Sequence, residues 1–506
     1  MKRALAILPF VASAVASCSG GFGHLKSQAH LVVTIESGNL GSSTQPLPLA
    51  FTPQAPLKLR IEARRADGTL DDTYNSFVRL SVRPGTVYSV NDGGAGRNVQ
   101  LASGVATNVT VPIVASYGDT HIWAEDLGYV PVKDLSATPQ CADGKDNNNN
   151  GTIDFPADPG CFASNDDSEE GGTYAAGVSP LIHYQLPRVS DVRGRSLNGG
   201  TATAFPGEQV NMNTGWNEGA ERFDFDVVIT RIASDGFYAT DVQDQQGGGY
   251  ASVFAYTFSA PTRLRVCDRL KAFSGTSSDF FGFTEIGFPT WSVEYYDPAV
   301  RPCLVPEPTL LGVADVANTK ALFRYESAFV RVFTSGKFEA DNTCSKVTPG
   351  TCLHIPKHFG AAHPAGPAWT PTADASNCDF NGNGKVDFSD PTEAACSAAC
   401  TADPECTEYA TFKGQSNFFL VYEDTVNNVS GHVQVNGSAS PGFDPATTKG
   451  QPIKSFSGTL RYFSGGSQFT IEARCSDDIV TDLNAQLTSS STACVRERTS
   501  LELSQN

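Results

Sequence analysis

The stretch CDFNGNGKVDFSD, Cys378 to Asp390, sets oxygen-bearing side chains at regular steps. Counted from Asp379, Asn381 is third, Asn383 fifth, Asp387 ninth and Asp390 twelfth, with Gly384 at the sixth place. A hard cation explains such a register. Calcium takes about 6–8 oxygens, and a twelve-residue loop supplies them from positions 1, 3, 5, 7, 9 and 12, with glycine at 6 for the sharp turn. Lys385, at position 7, contributes its backbone carbonyl, and Val386 gives the loop an apolar foot. Without a cation the carboxylates would repel one another, so a polar turn is the weaker reading. With Asp at position 12, the loop resembles that of a dockerin more than that of a cytosolic EF-hand sensor.

CADGKDNNNNGTIDFPADPGC, Cys141 to Cys161, repeats part of the register. From Asp146, Asn148 is third, Asn150 fifth, Gly151 sixth and Asp154 ninth. Position 12 is Ala157, and Asp158 comes one residue late. Either Asp158 reaches in, or Asp143 or Asp166 takes its place. Asp166, Asp167, Glu169 and Glu170 either complete the coordination or keep the segment solvated. The pattern resembles the Cys-bounded calcium repeats of thrombospondin type 3, and calcium is the cofactor expected at both loops.

The elements that carry these loops are extracytoplasmic. The chain opens MKRALAILPFVASAVASC: a basic start, a short apolar run from Ala4 to Ala16, and Val15-Ala16-Ser17-Cys18, which resembles the lipobox of bacterial lipoproteins. The run is too short to span a membrane. The rival is ordinary cleavage after Ala14-Val15-Ala16. Of 13 cysteines, setting Cys18 aside for lipidation leaves twelve, an even set for an oxidising compartment. The expected location is therefore a lipid-anchored one at the outer membrane or cell surface.

Short runs rich in Val, Thr, Phe and Tyr, split by 47 Gly and 30 Pro, predict a mainly β chain. At 506 residues about three domains are expected. The predicted order is a signal peptide (1–17), a tether (18–29), an Ig-like β-sandwich (30–135), a calcium-binding linker (136–172), two OB-fold-like β-barrels (173–320 and 321–482), and a Ser/Thr-rich tail (483–506). The second barrel is expected to hold a disulfide- and calcium-braced insertion at about 340–410. In the sandwich region LKLRIEA alternates in a two-residue period, and GVATNVTVPI with GDTHIWAED resembles bacterial Ig-like domains.

Gly236-Phe237-Tyr238, Val253-Phe254-Ala255-Tyr256, Asp268-Arg269-Leu270 and Phe283-Thr284-Glu285-Ile286 resemble OB-fold domains of bacterial extracellular nucleases. FSGTLRYFSGGSQFTIEARCSDDIV resembles the closing hairpin of the same pattern. Cys267 stands where that pattern has glycine, which suggests a disulfide with Cys303; Cys475 and Cys494 form a second candidate pair. The family's catalytic domain, with its His, Asp and Asn motifs, has no counterpart here.

The expected function is a calcium-stabilised binding or adhesion protein, not an enzyme, whose partner is a surface protein or matrix ligand. The alternative is a nucleic-acid-binding accessory of an extracellular nuclease system. Phe237, Tyr238, Phe254, Tyr256, Phe280, Phe281 and Phe283 would be its stacking platforms, although alternate ones belong to a core. The net charge of −18 weighs against nucleic acid. His354, His358 and His363 could suggest zinc, but Pro356 disfavours the helix that would align them, and no HExxH is present. Asp477-Asp478 reads as a strand-end cap or a surface pair.

Overall fold

The computed structural model describes residues 29–49, 56–91, 96–134, 136–195, 202–245, 249–357, 359, 389–402, 404–463, 468–487 and 494–495. The chain is mainly β and divides into two compact units, Met1–Tyr184 and Gln185–Asn506.

The first unit is a sandwich of antiparallel sheets. Its strands are β1 (His30–Ser37), β2 (Leu57–Arg64), β3 (Phe77–Arg83), β4 (Asn98–Gln100), β5 (Val105–Val111), β6 (Asp119–Asp126), β7 (Gly177–Val178) and β8 (Ile182–His183). One sheet runs β1-β2-β5. The other runs β4-β3-β6-β7, with β8 also on β6. The two-residue period sorts the side chains: Leu57, Leu59, Ile61 and Ala63 of β2 are buried, while Lys58 and its alternates face outward. Val78, Leu80, Val82, Ile122 and Ala124 come from the other sheet into the same core. Each such Val, Leu or Ile contributes about 1.5–3 kcal/mol by leaving water.

The segment 136–172 is not a linker between two domains. It leaves after β6, and the chain then returns so that β7 pairs Trp123↔Val178 and β8 pairs Thr120↔Ile182. It is an excursion from the sandwich, and the sandwich ends near Tyr184. Two-residue strands are too short to show a period, which is why the sequence hid them.

The second unit holds two barrels of one topology. The first contains β9 (Gln209–Met212), a small hairpin of β10 (Trp216–Asn217) and β11 (Arg222–Phe223), then β12 (Val227–Ile232), β13 (Gly236–Asp241), β14 (Ser252–Tyr256), β15 (Arg269–Phe280) and β16 (Phe283–Glu294). The order β12-β13-β14-β16-β15 closes through a β12–β15 pairing, and β9 extends β15. Among its described strands only β14 and β16 pair in parallel.

The second barrel contains β17 (Thr309–Leu310), β18 (Phe329–Phe333), β19 (Lys337–Phe338), β20 (Val347–Thr348), β21 (Thr351–His354), β22 (Asn417–Asp424), β23 (Val429–Asn436), β24 (Pro452–Ile453), β25 (Ser455–Phe463), β26 (Gln468–Glu472) and β27 (Ile479–Val480). Its path is β18-β25-β26-β23-β22-β21, with β23 and β26 parallel, matching β14 and β16. Closure comes where β18 meets β21: the Ser335 amide donates to the Thr351 carbonyl (3.0 Å), and the Leu353 amide donates to Thr334 Oγ1 (3.0 Å). β18 and β21 together occupy the place of the single strand β12. The β19–β20 hairpin, tied by Cys344–Cys352, emerges from the split.

The expected insertion therefore comes in two pieces, this hairpin and a second excursion between β21 and β22. The latter contains helices Pro391–Ala402 and Pro404–Gln415. The second helix packs Tyr409 and Phe412 against Phe359 and Phe418, with ring centroids about 6 Å apart. The disulfides Cys267–Cys303 and Cys475–Cys494 are formed. Among the described residues no helix is long and apolar enough to cross a membrane.

Candidate metal centre

Cys141 and Cys161 are bonded (S–S 2.06 Å) and buried, so they pin both ends of the acidic loop. Within it the Asx residues turn the backbone, as their short polar side chains favour. Asp146 accepts from the amides of Asn150 (3.1 Å) and Gly151 (2.9 Å). Asn148 Oδ1 accepts from the Asn150 amide (3.0 Å), and Asn150 Oδ1 from the Thr152 amide (2.8 Å). Gly151 sits at φ +87°, the left-handed conformation that the sixth position of such a loop requires.

Of the three candidates for the final ligand, the geometry separates one from the others. Asp158 is 1% exposed. Its Oδ1 accepts from the Gly160 amide (2.7 Å) and faces Asn150 Nδ2 at 3.1 Å, while its Oδ2 faces Asn148 Nδ2 at 3.4 Å. Asp158 thus lies with the loop's third and fifth positions. Asp166 instead serves the frame: its carboxylate accepts from the amides of Val130 (2.8 Å) and Phe162 (3.1 Å). Burial pushes the Asp166 carboxyl up, against the pull of those amides. Asp143 is engaged by Lys145 Nζ at 3.2 Å and Asn147 Nδ2 at 3.3 Å.

Glu169, one of the four acids expected either to complete the coordination or to keep the segment solvated, is fully buried and reaches back into the loop. Its Oε2 accepts from the Asn147 amide (2.6 Å) and its Oε1 from the Asp154 amide (3.3 Å). Glu169 and Asp158 carboxylate oxygens lie within 4.8 Å of each other, next to Cys161, whose sulfur is committed to the disulfide. Gly160 makes this approach possible, because a Cβ there would meet the Glu169 carbonyl oxygen at 1.7 Å. Asp154 turns one oxygen to the Gly144 amide (2.9 Å), and its Oδ1 is enclosed with no hydrogen-bond partner.

These residues suit a hard cation. Asp146, Asp154, Asp158 and Glu169 are acceptor-only when ionised. A half-turn of the Asn148 or Asn150 carboxamide exchanges its amino group for its oxygen, so both can add neutral oxygens. Oxygen donors of this kind suit calcium better than zinc, which favours nitrogen and sulfur. The structure brings Asp158 and Glu169 together, while the expected ligands Asp146 and Asp154 are turned to backbone amides and stay outside that group.

The second expected loop falls mostly outside the described residues: Asp379, Asn381, Asn383, Lys385 and Asp387 lie there, as do His358, His363 and Cys18. Asp390 is described. Its Oδ1 accepts from the amides of Thr392 (2.7 Å) and Glu393 (3.3 Å), so it caps helix Pro391–Ala402. His354 lies on β21, with Nδ1 3.1 Å from the Ile355 carbonyl and Nε2 3.5 Å from Glu423. The nearby Cys344 is disulfide-bonded.

The aromatic platforms expected for nucleic acid are mainly structural. Phe237, Tyr238 and Phe254 are fully buried, and Phe283 nearly so. The second barrel covers this side of the first: Arg461 lies over Phe254 and Phe283 (5.2 and 5.4 Å to the centroids), and Tyr462 packs with Tyr238, Phe254 and Phe283. Arg231 pairs with Glu472, and Arg461 reaches Asp235 at 3.3 Å. Stacking a base on these rings would require the barrels to part. Phe280 and Phe281, at the β15–β16 turn, are exposed.

Asp478 is not a surface residue. It is buried and holds Arg474, whose guanidinium lies 3.6 Å from the Phe329 ring centroid. No family model, curated protein or solved structure is detectably similar to this chain.

Proposed function

We propose that the protein is a calcium-stabilised, lipid-anchored binding or adhesion protein of the cell surface or outer membrane, with no catalytic role. One observation carries this reading: two buried carboxylates, Asp158 and Glu169, converge with Asn148 and Asn150 inside a disulfide-closed loop. Buried like charges oppose folding unless a cation offsets them. Asp146, Asn148, Asn150, Asp154, Asp158 and Glu169 would hold calcium, which would fix the excursion on the sandwich rather than supply reaction chemistry. The loop from Asp379 to Asp390 is the second proposed site, with the Lys385 carbonyl as a ligand.

The signal sequence and Cys18 support the anchor. An acylated Cys18 carrying more than one chain would hold the protein at a membrane stably. The test is metabolic labelling with palmitate: wild type should incorporate label and Cys18→Ala should not. Labelled Cys18→Ala would refute the anchor.

A further inference from the structure

The loop that joins β14 to β15, together with the end of β16, carries a feature unrelated to the acidic loops. A cavity of about 530 Å³ opens there, lined among others by Trp291, Tyr295, Thr257, Ser259, Ser292 and Arg263. Its size suits a small ligand or one unit of a larger one. At its edge Phe258 and Phe288 are 65% and 73% exposed, with ring centroids 5.7 Å apart. Tyr256 continues the row, 4.7 Å from Phe258.

Both phenylalanines have left-handed backbone, φ 63° and 48°. Bulky residues take that conformation at a cost, and such strain concentrates at functional positions. Here the rings touch one another and Tyr256 but stay largely in water, so burial does little to offset the strain. Trp291, by contrast, is anchored. It pairs with Phe273 across the strands, and its ring meets the buried Phe237 edge-on at 5.2 Å.

We propose that this row and cavity form a carbohydrate-binding site for an uncharged or sparsely charged pyranose oligomer. A pyranose presents a face of C–H groups that can lie on an aromatic ring, and a rim of hydroxyls that need donors and acceptors. Phe258, Phe288, Tyr256 and Trp291 offer the first; Thr257, Ser259, Ser292 and Arg263 offer the second. Charge selects against the other occupants. Among the described residues Arg263 is the one cation lining the cavity, and the chain carries −18 overall. Nucleic acid and anionic membranes call for clusters of Lys and Arg. The row adjoins the aromatic cluster that Arg461 and Tyr462 cover, with Tyr256 packed on that cluster, but Phe258 and Phe288 stand clear of it in solvent.

This inference rests on the surface-binding reading and names its ligand class; it does not depend on calcium. The experiment uses the mature chain made soluble by Cys18→Ser. Calorimetry is run with cellohexaose, chitohexaose and maltohexaose, each in calcium and in EGTA. At least one hexaose should bind in both media. Phe258→Ala and Phe288→Ala should each weaken it about tenfold, the loss of roughly one aromatic contact, and Trp291→Ala should abolish it. Both phenylalanines are exposed, so their removal leaves the fold intact. Tyr88→Ala, which alters a 75% exposed ring of the first unit, should change nothing. The proposal is overturned if no hexaose binds, if the phenylalanine variants bind as wild type does, or if the row instead retains phosphatidylcholine vesicles. Loss of sugar binding only in EGTA would overturn the independence from calcium.

Discussion

Arg193 and Glu326 form an ion pair whose side chains are 1% and 0% exposed. Arg193, from the segment preceding the first barrel, also donates to the Phe323 carbonyl (2.8 Å), and the Thr284 amide donates to Glu326 (3.3 Å). The pair therefore joins the leading segment, the β15–β16 hairpin and the second barrel. Arg193→Met keeps the length of the side chain and removes the charge. Glu326 must then stay ionised in apolar surroundings or take a proton, and breaking one side of a buried pair costs about 3–5 kcal/mol. Burial already pushes the Glu326 carboxyl up to about 7, with Arg193 pulling it back. Losing Arg193 raises it further. A carboxyl raised on folding favours the fold when protonated and penalises it as pH rises through the folded value. The wild-type carboxyl, at about 7, already loses this contribution on the way to pH 7, so the penalty of Arg193→Met should grow only above about pH 7, by up to about 1.4 kcal/mol per unit. Urea unfolding of the soluble chain, followed by tryptophan fluorescence, should show about 2–4 kcal/mol lost at pH 5.5 and about 1 kcal/mol more at pH 8. Arg193→Met with Glu326→Gln should recover much of the loss at pH 8. Equal losses at both pH values, or less than about 1 kcal/mol at pH 8, would refute the reasoning.

Two further predictions concern the first unit. Hydrogen bonds from Thr73 and Tyr174 hold the Asp71 carboxyl down at about 2. A depressed carboxylate stabilises above its unfolded value and loses that contribution as pH falls from about 4 to 2. Asp71→Asn should therefore cost about 1–2 kcal/mol at pH 6 and nothing near pH 2, read by thermal melts; equal costs would contradict it. Gly160→Ala should displace Glu169, because the new Cβ would collide with its carbonyl. Limited proteolysis should then cut between Cys141 and Glu169 faster than in wild type, and an unchanged pattern would sink the claim.

Much of this was legible in the sequence where local rules dominate. β2 and β13 announce themselves by alternation and by the Ser234-Asp235-Gly236 turn. The Asp/Asn register from Asp146 singled out Asn148 and Asn150, which the structure sets beside Asp158, without any fold. Glu169 was harder to see because only the disulfide and the close approach at Gly160 bring it back across the loop. The helices of the second excursion did carry a signal that went unused: Asp390-Pro391-Thr392-Glu393 has the form of an N-cap, a first-turn proline and a capping-box glutamate. The split of the first strand into β18 and β21 has no sequence period, since Thr334 and Ser335 make the join through hydrogen bonds that any extended pair could offer. Arg193 and Arg474, buried, and Arg231 and Arg461, half-buried, read as surface residues by type; their carboxylate partners, distant in sequence for all but Arg474, hold them inside.

The most direct test of the account is a calcium titration of the soluble Cys18→Ser chain by calorimetry, with hydrogen exchange followed over residues 141–170 and 379–390. The account predicts two binding events. Asp158→Asn should remove the first and leave residues 141–170 unprotected, Asp379→Ala should remove the second, and Lys385→Ala should remove neither. No calcium heat at millimolar ion, or an Asp158→Asn chain that titrates and exchanges like wild type, would contradict the claim that these loops are built around calcium.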